Sequence, residues 1–129
     1  MSEEFKVEII NPEKLFFSKD DIKEVIVPAF EGEMGILKDH ISIISFLKPG
    51  ILKIFTNSAE EKYFIEDGIV EFKENTLSIL TSSIHNIPDL GKEKIGEILK
   101  ISEKELNDIN LDDQKKFLIE QKIEILKSL

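Results

Sequence analysis

Cysteine is absent from the 129-residue chain, which excludes disulfide frameworks, thiolate metal sites and cysteine nucleophiles. Arginine is absent too, since all 17 basic residues are lysine. The planar guanidinium fork that grips phosphates and carboxylates is therefore missing. There is no Trp, and His40 and His85 are the only histidines, which nearly excludes a multi-histidine metal site. Positive charge is scarce: 26 acids against 17 lysines leave a net charge of −9, a poor basis for binding a nucleic-acid backbone. No apolar run reaches the roughly 18 residues that a membrane-crossing helix needs. The opening residues MSEEFKVEII are acidic and lack the apolar segment of a secretory signal. These absences point to a protein that works in a cytoplasm.

Hydrophobic residues make up 41% of the chain and charged residues 33%, enough to pack a core in one domain or in a domain with a small appendage. The chain divides into two halves of different period, with boundaries expected at residues 1–87 and 88–129. In the first, apolar Phe5, Val7 and Ile9 alternate with Lys6 and Glu8, the signature of a half-buried strand. Further strands are expected at Leu15 to Phe17, Ile22 to Val27, Ile41 to Leu47, Ile51 to Phe55, Tyr63 to Ile65, Ile69 to Phe72 and Leu77 to Leu80. Turns are expected at Asn11-Pro12-Glu13, Ser18 to Asp21, Pro49-Gly50, Asn57 to Glu61, Asp67-Gly68 and Glu74-Asn75, with Pro28 ending a strand or marking an edge. Val25 and Val27 are expected to share one face, with Ile22 and Ile26 on the other. Strands at this spacing suggest an antiparallel sandwich or barrel.

After Pro88 the period becomes helical. Ile95, Ile98, Leu99, Leu106 and Ile109 form a stripe over Lys92 to Ile109, with Ser102 filling its gap. Asn107 to Asn110 is a break, and Asp112-Asp113 stand where acids favour a helix start. Leu118, Ile119, Ile123, Ile125, Leu126 and Leu129 make a broad apolar set on a second helix, giving a two-helix antiparallel hairpin. Residues 1–91 carry 9 lysines and 17 acids, whereas residues 92–129 carry 8 and 9. The acidity therefore belongs to the β half.

The densest polar constellation is Glu31-Gly32-Glu33-Met34-Gly35-Ile36-Leu37-Lys38-Asp39-His40. Glu31, Glu33 and His40 raise a small carboxylate/His hydrolase, but no nucleophile or second ligand cluster accompanies them. A turn followed by a strand is the better reading. Gly32 and Gly35 do not form a phosphate loop, because no Lys-Ser/Thr follows. Asp20-Asp21 lack the ligand spacing of a calcium loop. Thr81-Ser82-Ser83 lack a nucleophile elbow and read as a strand end, and His85 reads as a capping or solvent-facing residue.

The order of EGEMGILKDH, Leu47-Lys48-Pro49-Gly50, DGIVEF, LSIL and a helical hairpin resembles the epsilon subunit of bacterial-type F-type ATP synthases, the counterpart of the mitochondrial delta subunit. The family segment commonly reads E-G-x-x-G-[IV]-[LY]-P-G-H-A-P-L. Glu31, Gly32, Gly35, Ile36, Leu37 and His40 match it, while Lys38-Asp39 and Ile41-Ser42 replace Pro-Gly and Ala-Pro. The resemblance implies a flattened antiparallel β-sandwich of about ten strands plus the two-helix hairpin. It also implies a non-catalytic rotor subunit in the central stalk of the proton-translocating enzyme, linking the gamma subunit to the c-ring. The complex would lie on the cytoplasmic face of the bacterial inner membrane, with this chain peripheral to it.

Glu31, Glu33 and His40 are then the candidate contacts with the c-ring and gamma subunit, with His40 expected near the same end as Glu33. The hairpin is implied to reach the alpha and beta catalytic subunits, with Lys115, Lys116 and Lys122 as candidate contacts, and to restrain ATP hydrolysis. Some members hold the hairpin folded with ATP through an [IL]-D-x-x-R-A pattern. Leu111 and Asp112 keep it here, while Lys115 and Lys116 replace Arg and Ala. Asp112 and Lys115 are thus the candidate remnants of a nucleotide contact. No metal or cofactor is implied, and ATP binding by the hairpin stays open, as does a free nucleotide-binding regulator as the alternative function.

Overall fold

A computed structural model describes residues 3–129. Ten strands occur among the described residues: β1 (Phe5–Ile10), β2 (Leu15–Ile22), β3 (Glu24–Ala29), β4 (Gly32–Ile36), β5 (Ile43–Leu47), β6 (Gly50–Phe55), β7 (Glu60–Ile65), β8 (Gly68–Lys73), β9 (Thr76–Leu80) and β10 (Ile84–Asn86). A 3-10 turn (Ile87–Asp89) leads to α1 (Lys92–Glu105) and α2 (Asp113–Ser128). The strands form one sheet in the order β10-β7-β6-β3-β5-β8-β9-β1-β2, with β4 added beside β3. All pairs are antiparallel except β1 with β9.

The sheet curls into a flattened sandwich because its strands alternate, and only one face of each can be buried. Phe5, Val7 and Ile9 of β1 meet Val70, Phe72, Leu77 and Ile79 from one wing, and Val25, Leu52, Ile54, Tyr63 and Ile65 from the other, in a single core. The wings close where Phe16 and Phe17 of β2 approach Tyr63 of β7 edge-on, with centroids 5.8 and 6.3 Å away.

Several local expectations give way to tertiary context. Ser18 to Asp21 continue β2 and do not form a turn, because β2 is an edge strand paired only with β1 and tolerates a charged outer row. Ile22 ends β2 and faces the core with Val25 and Val27, since Lys23 breaks the alternation between them. β3 runs through Pro28 to Ala29. The missing N–H is tolerated because it falls where the neighbour of β3 changes from β6, paired up to Ile26, to β5, paired at Ala29. β7 starts at Glu60, inside the expected turn, and β10 is short and too weakly patterned to be read beforehand. α1 stops at Glu105, and Ile109 is 95% exposed, so it lies off the packed stripe.

Ser102 does fill the gap in α1: it is fully buried, and its hydroxyl donates to the Ile98 carbonyl at 2.7 Å. Asp112 caps α2 by accepting from the Lys115 N–H at 2.8 Å. α2 packs on α1 and against β6, burying Ile119, Ile123 and Leu126.

Candidate functional site

The outer face of the sandwich carries an apolar row that the alternation of its strands does not require. Register places Phe46 beside Ile69, Ile69 beside Leu80, and Leu80 beside Ile10, on four adjacent strands. Phe46 is 63% exposed, and Phe30 leans on it at 6.4 Å between ring centroids. The row borders a groove of about 600 Å³ that continues past Gly68 and Thr81 to Leu118 of α2.

Glu31 lies in the tight β3–β4 turn and Glu33 just after it in β4, which opens on Gly32 with a φ of +131° that favours glycine. Both carboxylates are exposed, and β4 is a sheet edge. His40 lies elsewhere. It packs edge-on to Phe72, which pairs with Ile43 at the start of β5, whereas Phe30 meets Phe46 near the end of β5. The expectation that His40 shares an end with Glu33 is corrected, because Ile43 and Phe46 stand roughly 10 Å apart along the strand. His40 donates from Nδ1 to the Ile41 carbonyl at 2.8 Å. Its loop is fastened by Asp39, whose N–H donates to Asn75 Oδ1 at 2.7 Å and whose carboxylate accepts from Asn75 Nδ2 at 3.0 Å. The two carboxylates and the imidazole do not converge, which removes the geometry that a hydrolase needs. Among the described residues, no cluster of three or more metal-ligating side chains occurs.

The hydroxyl run after β9 ties the corner of the sheet together. The buried Thr81 hydroxyl donates to the Asp67 carbonyl at 2.7 Å, and Ser82 Oγ donates to the Asp67 carboxylate at 2.9 Å. His85 caps no helix; it is half-buried and stacks on the fully buried Phe64. Burial lowers its pKa; nearby Glu66 opposes that shift and Lys94 adds to it.

Beside this corner, Lys122 of α2 inserts its ammonium between Glu66 Oε1 at 2.9 Å and Glu105 Oε1 at 3.5 Å. Ser83 Oγ donates to Glu66 Oε2 at 2.6 Å. Burial alone would raise the Glu66 pKa, but the hydrogen bonds from Ser83 and Lys122 and the attraction of Lys122 and His85 win, holding the carboxyl below its usual range. Sequence reasoning named Lys122 but not its partners, which lie far away in the chain. Lys115 and Lys116 are exposed. Leu111 and Lys115 line a cavity of about 300 Å³ shared with Glu66, Asp67 and Glu105. Three carboxylates share that cavity with the ammonium groups of Lys115 and Lys122, and the Asp112 side chain is already engaged as a helix cap.

A family model described as ATP synthase, Delta/Epsilon chain, beta-sandwich domain matches residues 4–87. The chain belongs to the delta/epsilon family of ATP synthase subunits. It is 65% identical over 129 residues to the ATP synthase epsilon chain of Pelagibacter ubique (strain HTCC1062), covering all of this chain and 99% of that one. It is 35% identical over 98 residues to the mitochondrial ATP synthase subunit delta of Schizosaccharomyces pombe, covering 74% of this chain and 59% of that one. The fold matches a chain in the cryo-EM structure of the Euglena gracilis mitochondrial ATP synthase, OSCP/F1/c-ring, at a TM-score of 0.73 and 18% identity, over 98% of this chain and 79% of that one. It also matches a chain in the central stalk/c-ring structure of the Tetrahymena thermophila mitochondrial ATP synthase, at a TM-score of 0.70 and 16% identity, over 95% and 93%. The family membership thus agrees with the ordered motifs around Glu31, Pro49-Gly50 and Asp67-Gly68. No helix among the described residues is long and apolar enough to cross a membrane.

Proposed function

We propose that this chain is a non-catalytic rotor subunit of the central stalk, joining the gamma subunit to the c-ring of an F-type ATP synthase. The exposed row Phe46–Ile69–Leu80 carries the reading, because an apolar face on a rigid sandwich is built for permanent docking rather than for chemistry. In this reading the gamma subunit covers that row, and the exposed carboxylates of Glu31 and Glu33 meet the polar loops of the c-ring. Ion pairs at such a rim set register and association rate more than affinity. His40, fastened on Phe72, shapes its loop and serves as a contact on the other end of the sandwich.

The hairpin then has two places, one folded on the β domain and one extended toward the alpha and beta subunits. In the extended place Lys115, Lys116 and the freed Lys122 face acidic surfaces of the catalytic head and restrain hydrolysis. The assembled subunit lies on the cytoplasmic face of the membrane and is held there only through the complex. The test is co-elution of the purified chain with a gamma-containing catalytic head lacking its epsilon subunit, with ATP hydrolysis read on the same fractions. Stoichiometric co-elution is expected, and deletion of residues 90–129 should raise hydrolysis by the complex. A folded chain that does not associate overturns the rotor reading, and unchanged hydrolysis after the deletion overturns the inhibitory role alone.

A further inference from the structure

Lys122 is the only charged side chain buried among the described residues, at 9% exposure. Its ammonium joins three elements at one point: Glu66 from the turn after β7, Glu105 at the end of α1, and α2, which carries it. Behind Glu66 stands Ser83, which donates at 2.6 Å, and behind Ser83 stands His85 Nε2 at 3.3 Å, so each side chain is held by the next. Elsewhere α2 buries the apolar Ile119, Ile123 and Leu126, and Gln121 Oε1 is buried there without a hydrogen-bond partner. The cavity beside the cluster is lined by Glu66, Asp67 and Glu105 together with Lys115 and Lys122, and of the two ammonium groups Lys122 is the buried one.

We propose that Lys122 with Glu66 and Glu105 forms an internal latch that keeps the hairpin folded on the β domain without any bound nucleotide. The ammonium does from within what a ligand would otherwise do from outside. The two places of the hairpin treat these charges differently. Undocking separates Lys122 from Glu66 and gives up that ion pair, whereas the pair with Glu105 lies within the hairpin. Removing Lys122 while the hairpin stays docked leaves the part-buried Glu66 without its cation, and removing Glu66 leaves the buried ammonium with only the exposed Glu105, which is the costly situation for a buried pair. Docking therefore depends on the charge match and not on the apolar seam alone. The inference rests on the reading above that the hairpin moves.

The chain has no native cysteine, so spin labels at Ser58→Cys and Glu120→Cys, both exposed, report the distance between sandwich and hairpin in the full-length protein. The unsubstituted labelled chain should show one narrow distance, unchanged by millimolar magnesium-ATP. Lys122→Glu should shift the ratio of docked to undocked hairpin about tenfold or more toward the long distance. Adding Glu66→Lys and Glu105→Gln to Lys122→Glu, so that position 122 meets a cation and no second carboxylate, should restore the short distance. That rescue separates a charge latch from simple damage to the fold. Retention of the single short distance by Lys122→Glu, failure of the paired exchange to restore it, or a requirement for ATP would each overturn the latch. Hydrolysis by the reconstituted complex is read separately. A variant that undocks by the labels yet leaves hydrolysis unchanged upholds the latch and sinks the inhibitory reading.

Discussion

At the scale of single residues, two side chains do work that their neighbours in sequence do not announce. Asp39 holds a φ of +66°, the left-handed region that glycine occupies freely. It stands where the family pattern carries Gly, and its two hydrogen bonds with Asn75 offset the strain. Asp39→Ala keeps the strain and loses the side-chain bond, so a loss of about 1–3 kcal/mol is expected in urea unfolding. Asp39→Gly should cost less, because it relieves the backbone. The second is His85. Its folded pKa is lowered by burial, so the unfolded chain takes up its proton first as pH falls. The stability it contributes is fully present above its ordinary value of 6.5 and drains away as pH falls below that value toward the lowered one. Glu66, also lowered, adds a second loss that begins below its ordinary 4.5. Thermal midpoints measured between pH 7 and 5 should decline, and His85→Phe, which keeps a ring on Phe64, should flatten that decline. The role of Glu31 and Glu33 as exposed turn carboxylates was legible in the motif. The place of His85 was not, because stacking on Phe64 depends on β10 pairing with β7, which no local pattern encodes.

At the scale of elements, Pro49-Gly50 marks the corner where the chain leaves β5, which pairs with β8, and enters β6, which pairs with β7. A Cβ on Gly50 would come within 2.5 Å of the Pro28 side chain, so the corner closes only with glycine. Gly96 on α1 faces open space. Gly50→Ala is therefore expected to destabilise by about 1–3 kcal/mol through overpacking. Gly96→Ala should stabilise by about 0.5–1 kcal/mol through helix propensity. Thermal unfolding of the two variants checks both signs in one experiment. Strands with strict alternation, such as β1, β6 and β8, were readable from sequence because their buried residues follow period two. The turn expected at Ser18 to Asp21 failed because propensity cannot see that an edge strand has a free side for its charges. The helices were readable as a pair, but the anchor that positions them was not: Lys122 and Glu66 are 56 residues apart in sequence.

At the scale of the whole molecule, the sandwich presents different chemistry on different surfaces, apolar on the outer row and acidic at the β3–β4 turn. Two substitutions should separate them. Phe46→Asp places a charge in the apolar row and should weaken co-elution with the gamma-containing head by about tenfold or more, at low and high salt alike. Glu33→Lys should leave that association and the thermal midpoint nearly unchanged while impairing coupled ATP synthesis in reconstituted vesicles, with an effect that shrinks as salt rises. Equal loss of head binding by both variants would contradict the division of surfaces. The parallel pairing of β1 with β9 has a consequence for biosynthesis. β1 waits for residues 76–80 before its second neighbour exists, so closure of the sheet depends on contacts distant in sequence and is expected to be slow. The helices emerge later still, onto a sandwich whose last missing neighbour has already been translated.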